Sequence, residues 1–160
     1  MIDPRFPELS PQQVQILKAY GEEEHYSSPT RVINYGDRDF DFFVILVGGI
    51  AIIDPSDQSS IVVTHHERQF SGSSNMLSNR AAEFSADTLE NTQLIRIKPD
   101  KLKKLISEHS DMSDLLLNAF LSRQSEMLSK LEGGIKLIGH ESANTTYAIR
   151  DFMEKNNVWY

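Results

Sequence analysis

The chain has 160 residues, a length that suits one domain with a real hydrophobic core. Its hydrophobic content of 39% and charged content of 24% are typical of a globular protein and exclude a disordered one. The formal net charge is −7 and the sequence has no dense basic cluster, so we expect no nucleic acid partner.

Cysteine is absent, which excludes disulfides, thiolate nucleophiles and thiolate zinc sites from this chain. No apolar run approaches the roughly 20 residues that a membrane span needs. The N-terminus also lacks the basic and apolar regions of a signal peptide. We therefore expect no membrane partner and take the cytoplasm as the default compartment.

The first predicted element is a helix of about three turns that ends near Gly21. Ser10 suits its N-cap, Pro11 suits the first helical position, and Gln13 completes a capping box. The acidic run EEE at residues 22–24 follows this helix.

From Thr30 to about Lys98 the sequence consists of short apolar or alternating runs separated by turn residues. Their spacing predicts strands of an antiparallel sandwich, barrel or roll. Gly48 and Gly49 lie between two of these runs and predict a tight hairpin that needs positive φ. The runs are RVINY, FFVILV, IAIID, SIVVTHH, AEFSA and QLIRI.

Two helices are predicted next. The first begins at Pro99, and the second has Ser110 as its cap and ends at Gly133 and Gly134. Each helix has apolar residues on one face, as expected for a helix that packs on a core. These residues are Leu102, Leu105 and Ile106 in the first helix, and Leu115, Leu116, Ala119, Phe120, Met127 and Leu131 in the second.

Residues 133–160 form a separate pattern of strand-like IKLIG, a turn, an amphipathic helix and a terminal VWY. This order is the opening of a βαβ unit, which cannot bury its faces alone. We therefore expect a fragment of a longer protein, with one domain in residues 1–132 and a linker with the start of a truncated βα segment in residues 133–160.

The order of helix, short strands, glycine-rich cassette and two helices resembles the cyclic nucleotide-binding domain family. YGDRDFDFFVILVGGIAI at residues 35–52 is similar to the family's early hairpin, and FSGSSNMLSNRAAEFSA at residues 70–86 is similar to its phosphate-binding cassette. The resemblance covers about residues 10–131. It implies an α+β fold, in which an N-terminal helix and two C-terminal helices flank an antiparallel, jelly-roll-like β-roll (a double-stranded β-helix).

The resemblance implies a regulatory domain without catalytic activity that binds cAMP or cGMP at the cassette. A fitting site holds the phosphate with backbone N–H groups and an arginine, and the ribose 2′-OH with a carboxylate. The predicted ligand-binding residues are Gly72, Ser73, Ser74, Asn75, Arg80, Ala81 and Ala82.

The cassette departs from the family's pattern, in which Gly-Glu opens it and an Arg beside two small residues closes it. Ser73 stands at the glutamate position, which forfeits about 1 to 3 kcal/mol of binding energy. Two alignments of the arginine stay open. Arg80 is the phosphate ligand if the loop is shorter than usual, whereas an alignment without a gap places Ala82 there.

The start of the cassette predicts a short turn of helix, with Ser71 or Ser73 as N-cap and N–H groups around Ser74 and Asn75. The alternative is a packed connector that binds no ligand and has three apolar side chains in the core. These are Met76, Leu77 and Phe84.

The tail is similar to the segment that joins this domain to a thioredoxin reductase-like flavoprotein in bacterial fusion proteins. Ile138-Gly139, Arg150-Asp151-Phe152 and Asn156-Asn157 match that pattern. The match implies a downstream oxidoreductase domain that binds FAD and NADPH, and no cofactor in this chain. The family's corresponding helix also implies a homodimer through residues 112–131, the alternative being a solvated helix face.

Two other functions are alternatives to the sensor. One is a ligand-free roll that acts as a docking or dimerisation module. The other is a cupin-type metal enzyme, suggested by His65, His66 and Glu67. Adjacent strand residues point to opposite faces, so we expect exposed histidines and no metal site.

Overall fold

The computed structural model of the protein describes residues 3–130. The helices are α1 (Pro11–Lys18), α2 (Ser74–Leu77), α3 (Pro99–Glu108) and α4 (Ser110–Lys130). The strands are β1 (Glu22–Tyr26), β2 (Arg31–Ile33), β3 (Phe42–Val47), β4 (Ile50–Asp54), β5 (Asp57–His65), β6 (Phe70–Ser71), β7 (Ser85–Thr88) and β8 (Thr92–Ile97). The strand-helix tail predicted for residues 133–160 lies outside the described part.

The strands form two four-stranded antiparallel sheets, in the orders β1-β8-β3-β6 and β2-β7-β4-β5. Apolar side chains from both sheets and from α1, α3 and α4 share one buried cluster. The predicted antiparallel roll with an N-terminal helix and two C-terminal helices is therefore confirmed.

The predicted hairpin at Gly48 and Gly49 is wrong. β3 pairs with β6 and β8, whereas β4 pairs with β5 and β7, so the two glycines carry the chain from one sheet to the other. Positive φ is confirmed at Gly48, where φ is 84° and a Cβ would lie 2.6 Å from Thr92 Oγ1. Two adjacent apolar runs predict two strands but do not specify which neighbours they pair with.

The first helix begins as predicted. Ser10 Oγ accepts a hydrogen bond from the Gln13 amide, and Gln13 Oε1 accepts one from the Ser10 amide. The helix has eight residues, fewer than predicted. The acidic run that follows it belongs to β1, which pairs with β8 at the edge of its sheet and thereby exposes several of its side chains.

Arg96 of β8 joins its neighbours on both sides through polar contacts. Its Nε donates to Glu24 at 3.0 Å, its Nη1 donates to Asp41 at 2.9 Å, and its Nη2 donates to the Tyr26 hydroxyl at 3.0 Å. Its guanidinium carbon lies 5.0 Å from the ring centroid of Phe43. Burial alone would lower the pKa of Arg96, but these hydrogen bonds raise it overall.

The two C-terminal helices are close to prediction. Leu102 and Leu105 of α3 are buried, and so are Leu116 and Phe120 of α4. Ser110 is the first residue of α4 rather than its cap, so this helix begins one residue earlier than predicted.

The chain divides into two compact units, residues 1–120 and 121–160. The predicted domain boundary between residues 132 and 133 lies outside the described part, as does the predicted helix end at Gly133 and Gly134. Between residues 3 and 130, no helix combines the length and the apolar character that are needed to cross a lipid bilayer.

Candidate functional site

The predicted cassette connects the two sheets, because it follows β6 of one sheet and precedes β7 of the other. Gly72 comes directly after β6 and its backbone lies against the core. A Cβ at this position would be 2.8 Å from Phe42 Cδ2, 3.2 Å from Met76 Sδ and 3.4 Å from Phe120 Cε1. Gly72 therefore lets the chain pass close to these side chains before α2 begins.

Ser73 is the N-cap residue of α2, with an extended backbone (φ −149°, ψ 167°). Its side chain makes no capping hydrogen bond, and its Oγ is buried without a partner in the described part of the chain. The Oγ of Ser71 is also buried and has no hydrogen-bond partner among the described residues. The Met76 amide donates to the Ser73 carbonyl at 3.3 Å, so the Ser73 hydroxyl is a polar group at this end of α2 that could meet a hydroxyl-bearing ligand.

The second half of the cassette folds back on α2. Asn75 is buried, its Nδ2 donates to the Ala81 carbonyl at 3.0 Å, and its own carbonyl accepts from the Arg80 amide at 2.9 Å. Asn79, at the reversal, has a φ of 54°. Asn75 is thus a structural residue of the loop, and its amide group is already engaged there.

The loop between β2 and β3 holds the end of the cassette. The Ala82 amide donates to the Asp37 carbonyl at 2.7 Å, and the Gly36 amide donates to the Ala82 carbonyl at 2.8 Å. Ala82 is buried and Ala81 is half-buried. No local pattern in the sequence predicts this pairing.

Arg80 lies on the surface, and its side chain forms no hydrogen bond or ion pair with any residue in the described range 3–130. Two carboxylates follow the cassette. Glu83 is exposed, whereas Asp87 forms an ion pair with Arg31 and thereby raises the pKa of Arg31. The cassette thus leaves one arginine side chain without a partner in the described residues, next to the half-buried Ala81.

The cassette also contacts the C-terminal helix through aromatic rings. Phe70 lies at the start of the cassette segment, and its ring centroid is 5.4 Å from Phe42 and 6.1 Å from Phe120 of α4. Met76 and Phe84 are buried and Leu77 is partly buried. The burial of Met76 and Phe84 therefore agrees with the alternative in which the cassette is a packed connector, whereas Leu77 is only partly in the core.

The histidine pair is not arranged for a shared metal. His66 is exposed as predicted, but the prediction that His65 is exposed is wrong, because His65 is buried with its ring centroid 5.7 Å from that of Phe6. Sequence reasoning missed the segment before α1, which covers this end of β5. Among the described residues, no three His, Cys, Asp or Glu side chains are grouped so that they would hold a metal ion.

Comparisons with known families and structures agree with this architecture. The sequence model of the family described as "Cyclic nucleotide-binding domain" matches residues 23–109. This range includes the cassette, the turn at Gly36-Asp37 and the whole of α3. No curated protein sequence matches the chain.

Three solved structures share the fold. The catabolite activator protein of Thermus thermophilus has 20% identity and a TM-score of 0.63 over 81% of this chain, which spans 61% of that protein. A protein of a cyclic-GMP-dependent pathway that regulates bacterial phytopathogenesis has 15% identity and a TM-score of 0.60, with 76% of this chain and 95% of that one covered. PKAR CBD2 with bound Sp-2Cl-cAMPS has 14% identity and a TM-score of 0.59, with 78% and 80% covered.

Proposed function

Because this chain belongs to the cyclic nucleotide-binding domain family, whose domains are regulatory rather than catalytic, we propose that it binds a cyclic nucleotide at the cassette. The observation that carries the proposal is the N-terminal end of α2, where Ser73 presents a buried hydroxyl without a partner. The proposed ligand-binding residues are Gly72, Ser73, Ser74, Asn75, Arg80, Ala81 and Ala82, of which Asn75 would contribute its backbone because its side-chain amide is bonded to Ala81.

We propose that the phosphate and the ribose of the ligand bind to different groups of this site. The N-terminal end of α2 faces one phosphate oxygen, because the start of a helix favours negative charge. The side chain of Arg80 has no partner in the described part of the chain, so it is available to form a charge-assisted hydrogen bond to the phosphate. The hydroxyl of Ser73 receives the ribose 2′-OH.

The proposed affinity is low because Ser73 replaces the family's glutamate. A hydroxyl offers one neutral acceptor where a carboxylate offers two charged oxygens. The loss of about 1 to 3 kcal/mol corresponds to one or two decades in Kd. The cassette is in this sense degenerate, although its backbone still forms α2.

The proposed signal passes from the cassette to α4. Gly72 lies against Phe120, which also packs on Phe42 and Phe70. A ligand that favours one position of α2 would also favour one position of this ring and of the helix that carries it. Such a shift requires different affinities for the two arrangements, as in any ligand-linked change of conformation.

We further propose that this domain regulates a thioredoxin reductase-like flavoprotein and that the two domains divide between residues 132 and 133. The resemblance of residues 135–160 to such a junction supports this, together with the lack of cysteine in the chain. FAD and NADPH would bind only in the downstream domain. The resemblance to the family's corresponding helix supports the proposed homodimer through residues 112–131.

A second candidate function is a ligand-free docking or dimerisation module. It is favoured by the surface position of Arg80, which lies among half-buried and exposed residues rather than in the core. In this case the cassette only connects the two sheets. Its buried Met76 and Phe84 hold it against the core, and it needs no ligand.

Calorimetric titration of the 160-residue chain with cAMP and with cGMP separates the two functions. Both nucleotides are suitable because related folds are associated with cyclic GMP signalling and with a bound cAMP analogue. We expect saturable binding that is lost in Arg80→Ala and strengthened about tenfold in Ser73→Glu. Lys103→Ala is the matched control, since it removes one exposed positive charge from α3.

Absence of heat at millimolar nucleotide in both the native chain and Ser73→Glu would overturn the sensor and favour the docking module. Binding that survives Arg80→Ala would instead favour the alignment in which the arginine position falls on Ala82. Loss of binding in Lys103→Ala would mean that the loss in Arg80→Ala is not specific to the cassette.

A further inference from the structure

One tyrosine side chain connects the end of α1 to the joint between α3 and α4. The Tyr20 hydroxyl donates a hydrogen bond to Glu108 Oε2 and lies 3.1 Å from His109 Nε2. The rings of Tyr20 and His109 meet edge to face, with centroids 5.9 Å apart and planes at 86°. Tyr20 therefore contacts the last residue of α3 and the residue that follows it.

The backbone of Tyr20 is itself held against the first sheet. Its amide donates to the Leu17 carbonyl at 3.0 Å. The next residue, Gly21, lies so close to β8 that a Cβ would be 2.4 Å from the Arg96 carbonyl oxygen and 2.6 Å from Ile97 Cγ1. The backbone on both sides of Tyr20 is therefore fixed relative to the roll, and the ring carries the hydroxyl from there to the α3–α4 joint.

The joint between α3 and α4 consists of His109 alone. Its backbone is extended (φ −129°, ψ 95°), its amide donates to the Leu105 carbonyl at 2.9 Å, and its carbonyl accepts from the Ser113 amide at 2.9 Å. A change in the angle between α3 and α4 therefore requires a change in the backbone dihedral angles of His109. A cleft of about 400 Å³, lined by α1, α3 and His109, leaves space beside it.

We propose that Tyr20, Glu108 and His109 form a latch that holds the α3–α4 joint against the roll. With the latch closed, α4 keeps the direction in which Phe120 packs on Phe70. With the latch open, the joint bends into the adjacent cleft. This inference rests on the proposed function in one respect, because α4 is the helix to which we assign the ligand signal.

Amide hydrogen exchange of the 160-residue chain without nucleotide tests the latch independently of ligand binding. In Tyr20→Phe the His109 and Ser113 amides should exchange about tenfold faster, while β3 and β8 stay unchanged. Tyr35→Phe is the matched control. It removes a hydroxyl from a side chain that is 61% exposed and has no partner in the described residues, so no amide should change.

Glu108→Ala provides a second variant at an exposed position, so that the test does not depend on the folding of Tyr20→Phe. Faster exchange confined to the joint in Glu108→Ala supports the latch. Unchanged exchange at the joint, or equal acceleration in β3 and β8, overturns it. A chain that shows the local effect but binds no nucleotide would overturn the sensor function and leave the latch intact.

Discussion

Phe120 of α4 meets Phe70 of β6 edge to face, with ring centroids 6.1 Å apart and ring planes at 81°. Both rings are fully buried, and each also contacts Phe42 of β3. The pair connects the strand that leads into the cassette to the helix that follows the joint at His109. Because the core is closely packed, a displacement of β6 requires a matching shift of α4, and the reverse.

Replacement of Phe120 by alanine should lower the free energy of unfolding by about 3 to 5 kcal/mol, because it removes a buried ring and leaves a cavity beside Phe42 and Phe70. Urea unfolding followed by circular dichroism would measure the loss. Leu121→Ala is the control, since this neighbouring side chain is 52% exposed and its loss should change stability by only about 0.5 kcal/mol. Equal losses in the two variants would contradict the assigned packing.

Gly72→Ala should destabilise the fold by about 1 to 3 kcal/mol, because the new Cβ would lie 2.8 Å from the Phe42 ring. Gly72 also has a positive φ of 158°, so Gly36→Ala serves to measure backbone strain without steric overlap. At Gly36 nothing lies within 4 Å of the added Cβ, but φ is 91°, so the expected loss is about 1 kcal/mol. Thermal unfolding of both variants tests the order, and a larger loss at Gly36 would refute it.

Arg96→Met should destabilise the first sheet, because Glu24 and Asp41 would lose the guanidinium that donates to them while Asp41 stays largely buried. The expected loss is about 1 to 3 kcal/mol in urea unfolding. Lys103→Met is the control, because it also replaces a positively charged side chain by methionine, at an exposed position of α3. It should leave the free energy of unfolding almost unchanged. A neutral Arg96→Met would mean that water replaces the lost hydrogen bonds.

The phenol of Tyr20 should titrate above its ordinary pKa, because its hydrogen bond to Glu108 favours the protonated form. Since the folded state binds this proton more tightly than the unfolded state, the contribution to stability is complete below about pH 10 and is lost as the pH rises through the folded pKa. Glu108→Gln should lower the pKa of Tyr20 in an NMR titration. Glu90→Gln is the control, because Glu90 is exposed and forms no hydrogen bond with Tyr20, so the pKa of Tyr20 should stay unchanged.

The local structure of the cassette was more predictable than its long-range contacts. The sequence predicted a short turn of helix with Ser71 or Ser73 as its N-cap, and Ser73 is that residue, because such a signal is confined to a few residues. The partner of Ala82 was not predictable, since Asp37 lies far away in the sequence and contacts it only through backbone atoms. The same holds for Tyr20, which meets His109 only after the roll has formed.

The sequence by itself determined the local elements: the capping box at Ser10, the strands rich in Val, Ile and Phe, and the helix start at Pro99. These depend on side-chain period and on hydrogen bonds between near neighbours. Only the tertiary structure decided that Gly48 and Gly49 pass between sheets, because strand pairing depends on partners that are distant in the chain. Burial of His65 depends on such partners too, and a local pattern does not encode them.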